Sequence, residues 1–418
     1  MARADHGGQL PNLSKAEWLA RPATRAVFAA ITAEGAQARA VGGAVRNALM
    51  ETPVKDVDIA TTALPADVMR LATQAGLHAI PTGFEHGTVT VVAEHTPFEV
   101  TTLRKDIETF GRHAKVTFTT DWREDALRRD FTMNALYCAV DGRVYDPLDG
   151  YPDLVARRVR FIGDARARIR EDYLRILRFF RFSAAYGNGV PDPEGLAAAI
   201  AEKSGLAGLS GERIRAELLL LLAAPGAVAA VSKMAETGLL APWLGKRANI
   251  DHLARLAALE QALGREPDPV LRLAALALDQ AGEAAGLQER LRLSAAETAR
   301  LERACLRDPA LDPSSAERAA QAFLYRHGPQ AFIDGVLMAW ARSSDDPADE
   351  ARRQRLELVE RWQPPPLPVR GTDVLALGVA PGPGVGRVIA AFEEWWIAES
   401  FPADAEAIQA KLSQLVRK

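Results

Sequence analysis

The sequence predicts a mixed α/β head followed by a long all-helical region. Strand signals crowd the stretch before about Pro152, where "ARAVGG", "DVDIATT", "GTVTVVA" and "FEVTTLR" carry alternation and β-branched content. Beyond Pro152 such signals nearly vanish, and Ala, Leu, Arg and Glu dominate between Gly and Pro punctuation. A length of 418 residues leaves room for two to four domains of ordinary size.

Each element follows from local pattern. "ARAVGG" reads as a short strand running into a glycine turn, and residues 44–50 as a helix. "DVDIATT" is the next strand. Residues 65–76 place Ala, Met and Leu at helical spacing, and "GTVTVVA" and "FEVTTLR" complete the strand set. In the helical part, "LLAAPGAVAAV" and "GLLAPWLG" are helix–turn–helix corners, and "SSDDPADE" is an exposed turn. "QPPPLPVRG", residues 363–371, is a semi-rigid polyproline hinge leading into a last small helical unit, where Trp395 and Trp396 serve as core anchors. No fixed-period repeat is present.

Composition excludes several classes. Hydrophobic and charged fractions of 48% and 25% are those of a globular protein. A net charge of −3 gives no whole-molecule attraction for nucleic acid, so such a partner needs a local basic surface. Cys138 and Cys305 lie far apart, which suits a reducing compartment and offers no zinc spacing. The opening "MARADHGGQLPNLSKAEW" lacks the apolar core of a signal peptide. The longest apolar run, residues 218–231, is broken by Pro225-Gly226 and is too short to span a bilayer. A cytoplasmic protein without a membrane partner is expected. Its oligomeric state is not readable from sequence.

The stretch "VGGAVRNALMETPVKDVDIATT", residues 41–62, carries the first chemistry. In a strand, residues two apart project to one face, so Asp56 and Asp58 are expected side by side. Two carboxylates so placed repel unless a cation sits between them, and Mg²⁺ suits hard oxygen ligands while leaving positions for substrate phosphates. A bare D-x-D pair is common at exposed strand ends. Here Gly42-Gly43 stands between a strand and a helix, where backbone N–H groups can approach phosphate oxygens, and Arg46 adds a cationic fork one turn later. A phosphate cradle and a metal pair are the parts needed for transfer at a triphosphate. Glu99, on the alternating stretch "PFEVTTLR", is the expected third carboxylate; read alone it is equally an edge-strand surface residue.

Three later stretches carry a resemblance. "EDALRRDFTMNAL" (residues 124–136), "IREDYLRILRFFRFSAAYG" (169–187) and "LSGERIRAEL" (209–218), taken in order with the glycine turn and D-x-D, closely resemble the class II tRNA nucleotidyltransferase/poly(A) polymerase family. This family belongs to the DNA polymerase β superfamily and includes the bacterial CCA-adding enzymes. The resemblance is strong over residues 41–222 and weaker beyond.

It implies a nucleotidyltransferase head of the DNA polymerase β type with an extended all-α neck, body and tail. The implied organisation is an N-terminal segment (1–21), head (22–150), neck binding the nucleotide base and RNA (151–225), body (226–362), and hinge with a tRNA-binding tail (363–418). It further implies a two-ion Mg²⁺ site on Asp56 and Asp58, with Glu99 as third acid. Gly42, Gly43 and Arg46 would hold the triphosphate, Arg129 would contact the nucleotide, and Asp130 would meet the ribose, with Asn134 supporting that turn. Asp172 and Arg175 would face the Watson–Crick edge of the base, and Arg178 and Arg181 would lie toward phosphates or RNA. The implied substrates are CTP, ATP and tRNA.

Physical chemistry is compatible with that base-reading role. Asp172 and Arg175, three apart on one helix, would be surface neighbours, an acceptor beside a fork of donors. The same spacing also describes a plain surface salt bridge. Where the family usually has Asp, this chain has Asn47, which keeps an acceptor but not the charge. Residues 157–181 hold nine arginines against three acids, a local basic surface for phosphates, although several would simply solvate helix faces. "GVAPGPGVGR", residues 378–387, could hold a tRNA phosphate or be a plain helix-connecting turn.

The expected function is addition of C, C and A to tRNA 3′ ends from CTP and ATP without a nucleic-acid template. Poly(A) polymerases of the family carry a G-R-R-F-R type string where this chain has "TGFEHGTVTVV", residues 82–92. A partial CC- or A-adding enzyme is disfavoured by "LRKDIETFGRHAKV", residues 103–116, which looks like the flexible loop associated with switching from C to A. A catalytically dead RNA-binding module is disfavoured by the complete set Asp56, Asp58 and Glu99. None of the seven histidines is followed by Asp, which argues against an added phosphohydrolase domain.

Overall fold

The computed structural model describes residues 10–110, 113–245 and 247–417. The chain divides into two compact units, Met1–Pro242 and Trp243–Lys418. The division falls inside the segment expected as the body.

The first unit holds a seven-stranded sheet. Its strands are β1 (Ala38–Val41), β2 (Asp58–Thr61), β3 (His78–Gly83), β4 (Thr88–Ala93), β5 (Thr96–Thr102), β8 (Tyr137–Cys138) and β9 (Val144–Tyr145). They lie in the order β3-β4-β5-β2-β1-β8-β9. Two further strands, β6 (Arg104–Phe110) and β7 (His113–Phe118), form a separate antiparallel ribbon. That ribbon occupies the stretch read from sequence as a flexible loop. Its central residues, Gly111 and Arg112, lie outside the described residues.

Sheet register positions the chemistry. β1 and β2 run antiparallel with Val41 opposite Asp58, so the chain leaves β1 into the glycine turn where Asp58 enters β2. β2 and β5 run parallel with Ile59 beside Val100, and one more residue in that register sets Asp58 beside Glu99. The β2 strand starts at Asp58, so Asp56 lies in the irregular segment ahead of it rather than in the strand. Val57, between them, is buried while both aspartates are exposed. Val41, Ala60, Leu103, Ala126, Ala135, Tyr137 and Ile162 form a core beneath this corner.

Helices complete the unit. Gly43–Leu49 follows the glycine turn, and Pro65–Gln74 begins with Pro, whose missing N–H costs nothing in a first turn. Leu174–Tyr186 buries Ile176, Leu177, Phe179, Phe180 and Phe182, and its Arg175, Arg178 and Arg181 recur every three residues on the other side. It packs against Gly211–Leu222. Phe131, Phe161, Phe179 and Phe182 form a ring cluster beneath it, with Phe131 and Phe161 centroids 4.9 Å apart.

The second unit is helical throughout its described residues. Its longest helix, Glu317–Arg342, is broken at Gly328 (φ 81°), just before Pro329. Near the C-terminus Val369, Val374, Phe392, Trp396 and Leu412 make a core, with Trp395 packed against it, so both tryptophans anchor packing. No described helix is long and apolar enough to cross a membrane.

Candidate nucleotide site

The glycine turn, the second aspartate of D-x-D, the 124–136 stretch and the neck helices meet at one cleft of about 550 Å³. Among sequence-predicted residues, Gly42, Gly43, Arg46, Asp58, Arg129, Asp130, Asp172, Arg175 and Arg178 line it. Asp56, Glu99 and Arg181 do not line this cleft. Glu99 opens on a neighbouring pocket of about 320 Å³.

Gly42 makes the turn at φ 67°, a conformation that strains any residue with a Cβ. One turn later Arg46 is buried and held from three sides. It donates to Asn134 Oδ1 at 2.6 Å, to Asn47 Oδ1 from Nη2 at 2.9 Å and to the Tyr186 hydroxyl at 2.7 Å, with the Tyr186 ring centroid 3.8 Å away. Burial lowers its basicity, yet these three partners are neutral. Asn47 thus supplies the acceptor that Asp would, and its amide also donates to the Pro53 carbonyl at 3.1 Å.

Arg129 and Asp130 sit back to back. Asp125, almost wholly buried, accepts from Arg129 at 3.0 Å, Arg128 at 2.8 Å and the Tyr137 hydroxyl at 2.8 Å. Burial alone would raise its carboxyl, but Arg129, Arg128 and the Tyr137 hydrogen bond bring it down to about 2. Asp130 is equally occupied: Oδ1 accepts from Phe131 N and the Asn134 amide, and Oδ2 from Arg178 Nη2 at 2.6 Å. Against burial, Arg178 and Asn134 hold Asp130 below the ordinary carboxylate range. Arg181 pairs with Glu217 at 2.6 Å.

The pair expected to read the base is built differently from the sequence reading. Asp172 and Arg175 do not share one helix. Asp172 is extended (φ −154°, ψ 107°) at the break between Ala165–Glu171 and Leu174–Tyr186. Its Oδ1 accepts the Leu174 N–H at 3.1 Å, which starts the second helix, and its Oδ2 accepts from Arg213 at 2.7 Å. Arg175 pairs with Glu171 and donates to the Arg168 carbonyl at 2.8 Å. No ion pair joins Asp172 to Arg175, so the plain salt bridge is not what forms. Arg213, Leu174 and Phe182 also line the cleft and were not singled out from sequence. The signal for Arg213 was its place in "GERIRAEL" four residues ahead of Glu217, on one helix face.

The basic stretch is largely self-neutralised. Of the nine arginines in residues 157–181, eight pair with carboxylates: Arg158 with Asp192, Arg160 with Asp153, Arg166 and Arg170 with Glu202, Arg168 and Arg175 with Glu171, Arg178 with Asp130, and Arg181 with Glu217. The acids come partly from outside the stretch, which is why counting within it overstated the free charge.

Donor chemistry at the D-x-D suits a divalent cation. The protein packed around Asp58 raises its carboxyl first, Glu99 and then Asp56 raise it further, and Arg129 pulls the other way. Carboxylates that hinder one another's ionisation are those a hard cation would relieve. Among the described residues no three ligating side chains close into a ready-made cage.

Comparison with known proteins identifies the family. Residues 38–160 match the model of the poly A polymerase head domain, and residues 191–246 that of a probable RNA and SrmB-binding site of polymerase A. The mitochondrial CCA tRNA nucleotidyltransferase 1 of Danio rerio is 35% identical over 397 residues, covering 90% of this chain and 87% of that protein. A CCA-adding enzyme of Limosilactobacillus fermentum is 32% identical, covering 87% of this chain and 90% of its own. The crystal structure of the Bacillus stearothermophilus CCA-adding enzyme in complex with CTP is similar at TM-score 0.75 and 29% identity, covering 95% of this chain and 98% of that one. With relatives of this identity spanned over most of their length, the chain belongs to the tRNA nucleotidyltransferase/poly(A) polymerase family.

Proposed function

We propose that the chain adds C, C and A to tRNA 3′ ends from CTP and ATP, without a nucleic-acid template. The observation that carries the reading is the convergence of Arg46, Asp58, Arg129, Asp172 and Arg175, drawn from separate motifs, on one cleft. Relatives bearing that activity in their names support it. The stretch 82–92, on β3 and β4, lacks the arginine string of poly(A) polymerases.

In the reaction the 3′-hydroxyl oxygen of the RNA bonds to the α-phosphorus of the nucleotide. The bond from that phosphorus to the bridging oxygen breaks, diphosphate leaves with the electron pair, and the hydroxyl proton passes to solvent. Arg46, fixed by neutral partners, keeps its charge for the triphosphate. Arg129, oriented by Asp125 and Tyr137, meets the nucleotide. Asp130 meets the ribose if Arg178 yields one of its hydrogen bonds. Asp172 and Arg175 are proposed to read the base edge. Asp56 and Asp58 would hold Mg²⁺, with Glu99 as third acid; two ions would supply charge neutralisation at the attacking and leaving oxygens.

The test is incubation with tRNA ending at the discriminator base, CTP, ATP and Mg²⁺, with product length read to one nucleotide. Addition of three residues is expected with both nucleotides and little extension with ATP alone. A long A tail would transfer the assignment to poly(A) polymerase, and a stop after two residues to a partial enzyme.

A further inference from the structure

Three side chains hold the Arg46 guanidinium: Asn47, Asn134 and Tyr186. All three are neutral, so its orientation rests on hydrogen bonds and ring contact rather than on an ion pair. Asn47 is its chain neighbour, and Asn134 closes the short turn Thr132–Asn134 of the head. Among these three, Tyr186 alone comes from the neck, as the last residue of the helix Leu174–Tyr186.

The hold from the neck is two-sided. The Tyr186 hydroxyl accepts from Arg46 Nη2 at 2.7 Å, and the ring centroid lies 3.8 Å from the guanidinium carbon. The Phe182 ring backs the same guanidinium at 5.3 Å and packs on Tyr186 with centroids 5.4 Å apart. A planar fork that is stacked and hydrogen-bonded at once loses the freedom to swing. Burial first, and then the nearby Arg181 and Arg178 charges, disfavour the charged form of Arg46, while Asp130 favours it. A cation so placed would turn toward water unless it were held. Arg46 lines the cleft and Tyr186 does not, so Tyr186 reaches the cleft through the arginine.

The helix that ends on Tyr186 also carries Arg175, which lines the cleft from its first turn. Eleven residues separate the two, about 16 Å along a helix axis. We infer that Tyr186 is a positioning residue: it pins Arg46 to the neck helix, so that the triphosphate contact and the base contact keep one fixed separation. The inference rests on the function proposed above. With the pin in place, a nucleotide that seats its base also seats its phosphates. Without it, Arg46 follows the phosphates of a misplaced nucleotide as readily as those of a placed one.

The experiment measures KM for CTP, for ATP and for a tRNA ending at the discriminator base, together with inhibition by inorganic triphosphate in Mg²⁺. Tyr186→Phe keeps the ring and deletes the hydroxyl. It should raise both nucleotide KM values and the triphosphate inhibition constant about 10-fold, the worth of a hydrogen bond to a charged group, and leave the tRNA KM unchanged. Tyr186→Leu deletes the ring as well and should raise them further, so that the Phe variant reads as a partial rescue. In a double-mutant cycle of Tyr186→Leu with Arg175→Ala, the losses in kcat/KM for CTP should fall short of additive by about twofold or more. Nucleotide KM values unchanged by Tyr186→Phe, a tRNA KM that rises alongside them, or strictly additive losses would overturn the inference. If wild-type protein adds no nucleotide, the proposed function falls. The pin is then read from calorimetric binding of inorganic triphosphate: weaker binding by Tyr186→Phe upholds it, and equal binding overturns it.

Discussion

The Asp172 carboxylate is held by Arg213 across 2.7 Å, at the point where one neck helix stops and the next begins. One oxygen of Asp172 is spent on starting the second helix, and the other is aimed by a guanidinium 41 residues later in the chain. The aspartate is therefore placed by its surroundings.

Removing Arg213 should loosen that placement. Arg213→Ala leaves a carboxylate short of a charge-assisted partner, a loss worth roughly 1–3 kcal/mol or about 5- to 150-fold. We expect kcat/KM for CTP and ATP to fall by such a factor and UTP and GTP by less. Competition assays with all four nucleotides check this. An equal fall for all four would make Arg213 a support of the cleft rather than of base choice.

Asn47 makes a second test. Asn47→Ala deletes the acceptor for Arg46 and the donor to Pro53, so KM for CTP and ATP should rise together, since a triphosphate contact does not see the base. Asn47→Asp keeps the acceptor and should stay close to wild type. Steady-state kinetics with both nucleotides separates these outcomes.

Much of this was legible in sequence because its signals are local. The glycine turn, the D-x-D and the apolar spacing of Leu174–Tyr186 are each written within a few residues. The break at Asp172 was not, because the helical pattern runs on both sides and a side-chain hydrogen bond to Leu174 N–H makes the interruption. Sheet order escaped for another reason: the parallel pairing of β2 with β5 joins residues 41 apart, and no local pattern encodes it. The pairing of the neck arginines was hidden likewise, since Glu202 and Glu217 are supplied from outside the stretch.

Asp125 predicts a pH effect with a definite sign. Its carboxyl is lowered from the ordinary carboxylate range to about 2 in the folded state. Its contribution is therefore present above about pH 4 and is lost as pH falls toward 2, where the folded-state carboxyl takes its proton. That contribution is on the order of 2 kcal/mol. Asp125→Asn should thus unfold more easily than wild type in urea at pH 7, and the gap should narrow steadily below pH 4. A gap independent of pH would mean that the amide lost shape or packing rather than charge.

The metal role makes the strongest demand. Asp58 lies beside Glu99 in the sheet register, and burial first, then Glu99 and Asp56, raise its carboxyl; a divalent cation would relieve the crowding of these acids. Asp56→Ala and Asp58→Ala should each remove one hard ligand and lessen that crowding, so thermal unfolding without metal should stay near wild type or rise slightly. Activity should respond in the opposite direction. If one metal pair serves every addition, as proposed, C and A incorporation should be lost together, and losing several kcal/mol of transition-state stabilisation costs tenfold for each ~1.4 kcal/mol. Single-turnover extension with CTP and then ATP, read against the unfolding curves, is the measurement. More than about a tenth of wild-type rate in either variant would mean the carboxylates do not hold the ions, and loss of C addition alone would mean they act on base choice instead.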